Sequence, residues 1–199
     1  MSARVYIEGG GDSKDMHIRC RKGFRRLLEN SGFTGRMPHL VACGGRRAAF
    51  DGFATAHAHA AAGDYVALLV DSEEPVANIN ETWSHLTQRD RWNKPTGADE
   101  EQVLLMTTCM ETWIASDRKA LRDHYGAKLQ ENALLDLNDM EARKRGDVQN
   151  SLHRATRNCT NRYAKGKRSF EILERLDPAV LRRLLPSFAR CERVLDEKL

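Results

Sequence analysis

The stretch DYVALLVDSEE, residues 64–74, decides the fold class of this chain. Its centre, residues 66–70, is an unbroken apolar run, which is typical of a strand buried on both faces of a parallel sheet. The apolar run stops at Asp71, and a serine and two glutamates follow. We therefore predict a central parallel strand whose carboxyl end presents acidic side chains.

Other short apolar runs predict the neighbours of this strand. They are VYI at 5–7, HLVAC at 39–43 and QVLLMTT at 102–108. Two segments with helical spacing, 13–31 and 46–63, separate the first three strands. This alternation predicts right-handed crossovers and a mostly parallel, Rossmann-like α/β sheet flanked by helices. The carboxyl ends of parallel strands share one edge, so we expect Glu8 and Asp71 to lie together there.

The rest of the chain predicts a different composition of elements. Residues 75–101 are expected to form a short helix and a long surface loop, and 109–126 a helix. Residues 127–199 are mostly helical and basic, and Pro178 and Pro186 punctuate the last helices. We therefore divide the chain into an α/β domain over 1–125 and a basic helical C-terminal extension over 126–199 packed on it.

The first strand leads into a turn that suits a binding site. In VYIEGGGD, residues 5–12, a carboxylate at the strand tip is followed by three glycines. Glycine adopts backbone angles that other residues avoid, so the chain can turn sharply just past Glu8. A carboxylate beside bare backbone suits an approach by phosphate or metal, and the motif alone does not distinguish them.

Composition sets the class of protein. The 199 residues are 41% hydrophobic and 30% charged, as in ordinary soluble globular proteins. The sequence has no apolar run of membrane-spanning length and no charged-then-apolar leader, so we expect a cytoplasmic protein without a membrane partner. Five scattered cysteines without a CxxC pair favour reduced thiols and give zinc little support.

Positive charge is unevenly distributed although the net charge is only +4. One cluster lies within 19–26 and a second within 143–168. Clustered cations suit a phosphate backbone, while the alternative for each cluster is a solvated helix face. The residues that we expect to bind phosphate or nucleic acid are Arg46, Arg47, Arg154, Arg157, Arg162 and Lys167.

Three acidic residues are candidate metal ligands. Glu8, Asp71 and Glu73 follow two predicted strands, and crowded carboxylates repel one another unless a cation neutralises them. Oxygen ligands without His or Cys suit Mg²⁺ or Mn²⁺. The alternative is that Asp71 and Glu73 cap a helix or lie in a surface loop.

The same residues carry a resemblance to a known family. YIEGGGD followed by LLVDSE resembles the Toprim domain of topoisomerases, primases and nucleases of the overcoming-lysogenization-defect (OLD) type. The resemblance implies that Glu8, Asp71 and Glu73 bind Mg²⁺, although many Toprim domains have Asp at the position of Glu73. Nearly end to end, the chain resembles an uncharacterised bacterial Toprim-like family of the DUF4276 type. The stretches that match are EGGGDSK, CRKGFRRLL, GRMPHLVACGGRRAAFD, LLVDSEEPV, CMETWIASD and YAKGKRSFEIL.

What this resemblance implies is a metal-dependent nuclease that hydrolyses DNA or RNA. Such proteins are often encoded next to an ATPase and are suspected of roles in defence against phage. The chain would then be the effector subunit of a defence system and would work with an ATPase partner. Whether it forms a homo-oligomer is left open. The alternative is a regulatory subunit of an ATPase complex that binds a nucleotide or nucleic acid without cleaving it.

Four further residues complete the predicted site. We expect Glu111, after the fourth strand, to be catalytic, with Asp117 as an accessory acid. Asp12 resembles the second acid of OLD-type nucleases, or else it caps the first helix. Lys165 either stabilises a developing phosphoryl charge or is a plain surface cation.

Overall fold

The computed structural model describes residues 2–199 and contains a four-stranded, all-parallel sheet in the order β2-β1-β3-β4. The strands are β1 (Ala3–Ile7), β2 (His39–Ala42), β3 (Tyr65–Asp71) and β4 (Val103–Met106). The predicted α/β class with a parallel sheet is confirmed. Because β1 and β3 are the two central strands, the residues that follow them lie side by side at the carboxyl edge of the sheet.

Helices cover both faces of the sheet. They are α1 (Lys14–Leu28), α2 (Arg46–Ala58), α3 (Thr82–Asp90), α4 (Met110–Ser116), α5 (Arg118–Tyr125), α6 (Arg145–Ala155), α7 (Lys167–Leu173), α8 (Pro178–Leu184) and α9 (Pro186–Lys198). A π-helical turn at Glu29–Phe33 extends α1, and the 3-10 turns are Glu100–Gln102, Gly126–Lys128, Glu131–Ala133 and Met140–Ala142. Within residues 2–199, no helix is both long enough and apolar enough to cross a membrane.

The unbroken apolar run of β3 is explained by two hydrophobic cores, one on each face of the sheet. Successive side chains of a strand point to opposite faces. Val66, Leu68 and Val70 therefore join the smaller core, which includes aromatic residues of α2 and α3. Ala67 and Leu69 join the larger core, which contains residues of α1 and of the helices after β4.

The C-terminal helices are part of the larger core. Helix α7 packs along α1, and α9 packs against β4. Phe170 of α7 and Leu195 of α9 are buried in the same cluster as Ile7 of β1. The basic C-terminal segment therefore packs on the sheet-bearing part of the chain, while a domain boundary at residue 125 stays a prediction.

The predicted helix over 109–126 is two helices, because Asp117 interrupts it. The Asp117 carboxylate accepts hydrogen bonds from the backbone N–H of Ala120, at 3.0 Å, and of Asp177, at 2.8 Å. An Asp side chain that bonds to nearby backbone competes with helix continuation and favours a new helix start. Asp117 is thus the N-cap of α5 and also ties α5 to the start of α8.

All five cysteines are free thiols, as the sequence predicts. Burial raises the pKa of Cys20, which lies beneath the glycine turn, to about 12. A thiol with such a pKa stays protonated and is a poor nucleophile at neutral pH. Cys20 is therefore a poor candidate for a nucleophile at the glycine turn.

Candidate metal centre

Three carboxylates meet at the carboxyl edge of the sheet. One oxygen from each of Glu8, Asp71 and Glu73 lies within 4.8 Å of the other two. Glu8 directly follows β1, and Asp71 is the last residue of β3, its neighbour in the sheet. The backbone N–H of Asp71 donates to the Glu8 carboxylate at 3.2 Å, which holds the two residues together. We call these three residues the acidic triad.

Glu73 reaches the triad through a turn. An Asp-x-Glu pair shares one face only where the strand continues, and β3 ends at Asp71. Glu73 instead has a left-handed backbone, with φ of 68°. Its N–H donates to the carbonyl of Thr108 at 2.7 Å, just past β4. That anchor, two residues beyond the strand end, brings the Glu73 side chain back to Asp71.

The glycine turn after Glu8 is fixed to the loop after β2. Gly9 and Gly44 exchange two backbone hydrogen bonds of 2.9 Å each in an isolated antiparallel bridge. Gly44 has φ of +74°, and a Cβ on it would lie 2.4 Å from the carbonyl oxygen of Gly11. Only glycine fits at this position, because any side chain would collide with backbone. The turn that follows Glu8 is therefore held on one side by close-packed main chain.

The triad is embedded in an alternating series of charges. Three arginines and one further acid, Asp90, link its members, and the sequence argument did not single out Arg89, Asp90 or Arg145. The order of contacts runs Glu8, Arg46, Asp90, Arg89, Glu73, Arg145 and Asp71. Charges of opposite sign thus alternate from one end of the series to the other.

Arg46 is the most firmly held of these arginines. Its guanidinium donates two hydrogen bonds to Asp90, at 2.9 and 2.6 Å, and one to Glu8 at 3.2 Å. It also donates to the backbone carbonyl of Asp71 and lies 4.9 Å from the Trp92 ring centroid. Arg46 was predicted to bind phosphate; in the structure its guanidinium is engaged by carboxylates and organises the triad.

The Asp71 carboxyl group is buried beside other negative charges. Burial raises the pKa of its carboxyl to about 7, and the negative charges of Glu8 and Glu111 add to the effect. The positive charge of Lys165 and the hydrogen bond from the Met110 N–H, at 2.8 Å, act in the opposite direction. A proton and a metal ion therefore compete for this carboxylate near neutral pH.

Glu111 lies behind the triad and is fully buried. Its two carboxylate oxygens accept hydrogen bonds from the hydroxyl of Tyr163, at 2.8 Å, and from the side-chain amide of Gln149, at 3.3 Å. Within residues 2–199, Glu111 is not part of the three-carboxylate cluster. Its charge acts on Asp71 from a distance, so the structure places Glu111 as a supporting residue.

An open cleft of about 380 Å³ lies in front of the triad. The cleft is lined by Glu8, Asp71 and the glycine turn together with Lys165, Gly166 and Phe170. Lys165 is exposed, so its ammonium group is accessible to a ligand in the cleft. The cleft brings together two predicted metal ligands and the predicted phosphoryl-binding lysine.

Four predicted phosphate-binding residues lie in or beside α6 and α7. All are exposed, and among the residues that the structure describes none has an ion pair with a carboxylate: Arg154, Arg157, Arg162 and Lys167. Arg47 is exposed too, but it pairs with Asp51 at 2.9 Å. The α6–α7 segment therefore presents uncompensated positive charge that adjoins Lys165.

The two predicted accessory acids lie apart from the triad. Asp12 is exposed, and the helix cap of α1 is the hydroxyl of Ser13, which accepts from the Met16 N–H at 3.2 Å. Asp117 is buried, and both its oxygens accept backbone hydrogen bonds. The structure thus gives Asp117 a structural role and Asp12 neither cap nor cluster contact.

The pairings within the series escaped the sequence argument because the paired residues are far apart in the chain. Arg145 meets Glu73 across 72 positions, and Arg46 meets Asp90 across 44. Arg89 and Asp90 end α3, in a segment predicted to be a short helix and a surface loop. The one local signal was the charge-dense triplet RDR at 89–91.

Comparison with known proteins gives a family for the chain. The model of a protein family described as a domain of unknown function (DUF4276) matches residues 7–196. This span includes every residue of the site. No curated protein and no solved structure matches. The resemblance of the sequence to the DUF4276 type is confirmed, while a relation to Toprim domains stays a proposal. The chain belongs to the DUF4276 family.

Proposed function

We propose that this protein is a Mg²⁺- or Mn²⁺-dependent nuclease with a Toprim-like α/β domain, which hydrolyses phosphodiester bonds of DNA or RNA. The observation that carries the proposal is the acidic triad, with Glu8 and Asp71 opening into the same cleft as Lys165. Carboxylates at the carboxyl edge of a parallel sheet, in one cleft with a lysine, suit a ligand that combines metal and phosphate.

The donor set of the triad suits a hard divalent cation. It offers only carboxylate oxygens, which favour Mg²⁺ or Mn²⁺ over zinc. One oxygen of Asp71 is taken by the Met110 N–H, but the nearest cation to the other, Arg145, is 3.9 Å away. That second oxygen is therefore free to bind metal. A bound ion of this kind activates water and neutralises charge on a phosphoryl group.

Residues outside the triad divide the remaining work. Lys165 lines the same cleft as Glu8 and Asp71 and supplies positive charge there for a phosphoryl group. The exposed cations of the α6–α7 segment supply affinity for the rest of the phosphate backbone. Glu111, held by Tyr163 and Gln149, fixes the electrostatic environment of Asp71.

The resemblance to Toprim-like proteins encoded next to ATPases extends the proposal to a cellular role. In that role the chain is the effector subunit of an anti-phage system, and an ATPase encoded nearby controls it. This extension rests on the resemblance. It is tested by adding the neighbouring ATPase to the assay described below.

A second candidate is a regulatory subunit that binds nucleotide or nucleic acid without cleaving it. One observation favours it: every carboxylate of the triad already has an arginine within 4.0 Å. The site is therefore nearly charge-balanced without a metal ion. Cleavage assays separate the two candidates.

The deciding experiment compares wild type with Asp71→Asn. Purified protein is incubated with plasmid, single-stranded DNA and RNA in Mg²⁺ or Mn²⁺, with and without the ATPase. We expect wild type to cleave at least one substrate and Asp71→Asn to lose about 100-fold or more in rate, because the substitution removes a metal ligand. Binding of the same nucleic acid should be retained, since the α6–α7 cations are unchanged.

Two results count against the nuclease proposal. Equal cleavage by both proteins under matched metal would show that the activity belongs to a contaminant or to another site. Binding of nucleic acid by wild type without cleavage in any condition would support the regulatory candidate. A parallel reaction in EDTA controls for metal-independent activity.

A further inference from the structure

We infer that Arg145 is the resident counter-ion of the acidic triad and that its guanidinium leaves when a divalent cation binds. The inference rests on the proposed metal site. It assigns a role to a residue that neither the family resemblance nor the nuclease proposal requires.

The first step is the charge of the series. Four carboxylates, those of the triad and Asp90, alternate with the guanidinium groups of Arg46, Arg89 and Arg145. Half-buried carboxylates this close repel one another strongly unless cations lie between them. A divalent ion added to the full set would leave excess positive charge at the same oxygens. One arginine must therefore give up its contacts.

The second step identifies the arginine that leaves. The Arg46 side chain is only 14% exposed and is held by Asp90 and Trp92 as well as by Glu8. Arg89 is 26% exposed and also pairs with Asp90, outside the triad. Both of these arginines have a partner that does not compete for metal, so both keep an anchor when the ion arrives.

Arg145 lacks such an anchor. Within residues 2–199, the hydrogen bonds and ion pairs of its side chain go to Glu73 and Asp71 alone. It is the most exposed of the three arginines, at 29%, and it is the first residue of α6, between exposed Lys144 and Gly146. The side chain can rotate into solvent without breaking any hydrogen bond or ion pair except those to the metal ligands.

The direction in which metal affinity changes when Arg145 is removed distinguishes competition with the metal from a structural role. If Arg145 competes with the metal, removing it strengthens metal binding. If Arg145 merely supports the fold of the site, removing it weakens metal binding. Without metal, either role predicts a less stable protein, because the triad loses a counter-charge.

The experiment is calorimetry with Mn²⁺ on wild type, Arg145→Ala and Arg145→Gln, with Arg47→Ala as the matched control. Arg47 is an exposed arginine whose carboxylate partner, Asp51, lies outside the triad. We expect Arg145→Ala to bind Mn²⁺ about tenfold more tightly than wild type, and Arg145→Gln to change in the same direction. Arg47→Ala should match wild type. In thermal melts, Mn²⁺ should raise the midpoint of Arg145→Ala by more than that of wild type, measured from EDTA.

Outcomes for the inference and for the proposed function are separable. If wild type binds Mn²⁺ and neither Arg145 variant binds it more tightly, the inference is overturned and the metal site is left intact. Binding by the Arg145 variants but not by wild type supports the inference in its strongest form. Absence of Mn²⁺ binding in wild type and in both Arg145 variants overturns the metal site itself. If Arg145→Ala does not fold, as judged by circular dichroism, Arg145→Gln alone decides the sign.

Discussion

Asp71 is the residue at which a proton that stabilises the fold competes with a metal ion. It is buried, and its pKa is raised to about 7, first by burial and then by Glu8 and Glu111. A carboxyl group whose pKa is higher in the folded than in the unfolded state stabilises the fold when protonated. That contribution is complete below the unfolded pKa of about 4 and is lost as the pH rises through the folded pKa.

This linkage predicts a difference in pH dependence between two proteins. In EDTA, the free energy of unfolding of wild type should fall relative to that of Asp71→Asn as the pH rises from about 4 to about 7. Urea unfolding at several pH values measures it, with Asp12→Asn, which alters an exposed acid, as the control. Parallel profiles for wild type and Asp71→Asn would contradict it. Wild-type affinity for Mn²⁺ should rise over the same range, because proton and metal compete.

At the scale of single elements, the junction of α4 and α5 separates a structural from a catalytic reading of Asp117. Its carboxylate satisfies two backbone N–H groups and is 1% exposed. Asp117→Ala should cost roughly 1–3 kcal/mol of stability, because it removes a cap and leaves buried donors unpaired. Mn²⁺ binding should be unchanged where the variant is folded. A normal melting profile with impaired metal binding would instead restore Asp117 to the site.

The α6–α7 segment carries the prediction for nucleic-acid affinity. Replacing Arg154 and Arg157 by Glu should weaken binding to nucleic acids of all sequences. The plot of log affinity against log salt concentration should become less steep, its slope decreasing in magnitude by about two. The matched control is the same change at Arg4 and Arg183, two exposed arginines that also lack an ion pair among the described residues. Fluorescence anisotropy at several salt concentrations measures both. Equal losses in the two variants would indicate a general charge effect without a defined binding segment.

At the scale of the whole molecule, the sequence predicts the sheet well because the determinants are local. The apolar run of β3 requires cover on both faces, and the acids and glycines that end β1 and β3 mark the edge where polar groups collect. The position of Glu73 was not predictable in the same way, because a hydrogen bond to the carbonyl of Thr108 sets the turn at Glu73. That partner lies on a neighbouring strand exit, where no periodicity in residues 64–74 could indicate it.

The arginine series was beyond sequence reasoning for a related reason. Arg145 belongs to a stretch rich in cations, any of which has the chemistry to pair with the triad. Its selection depends on how α6 packs on α4, which is a property of the assembled core. Conversely, Lys165 was identifiable as a candidate from the sequence, and the structure places it on the same cleft as Glu8.

The bridge between Gly9 and Gly44 joins two of the loops that line the cleft. Two main-chain hydrogen bonds join the exits of β1 and β2, and Gly44 leaves no room for adjustment against Gly11. The loops after β1 and β2 therefore form one continuous main-chain unit at the carboxyl edge of the sheet. Lys165 and Gly166, which also line the cleft, belong to the segment that leads into α7. A ligand that enters the cleft therefore meets fixed main chain on the side of the glycine turn.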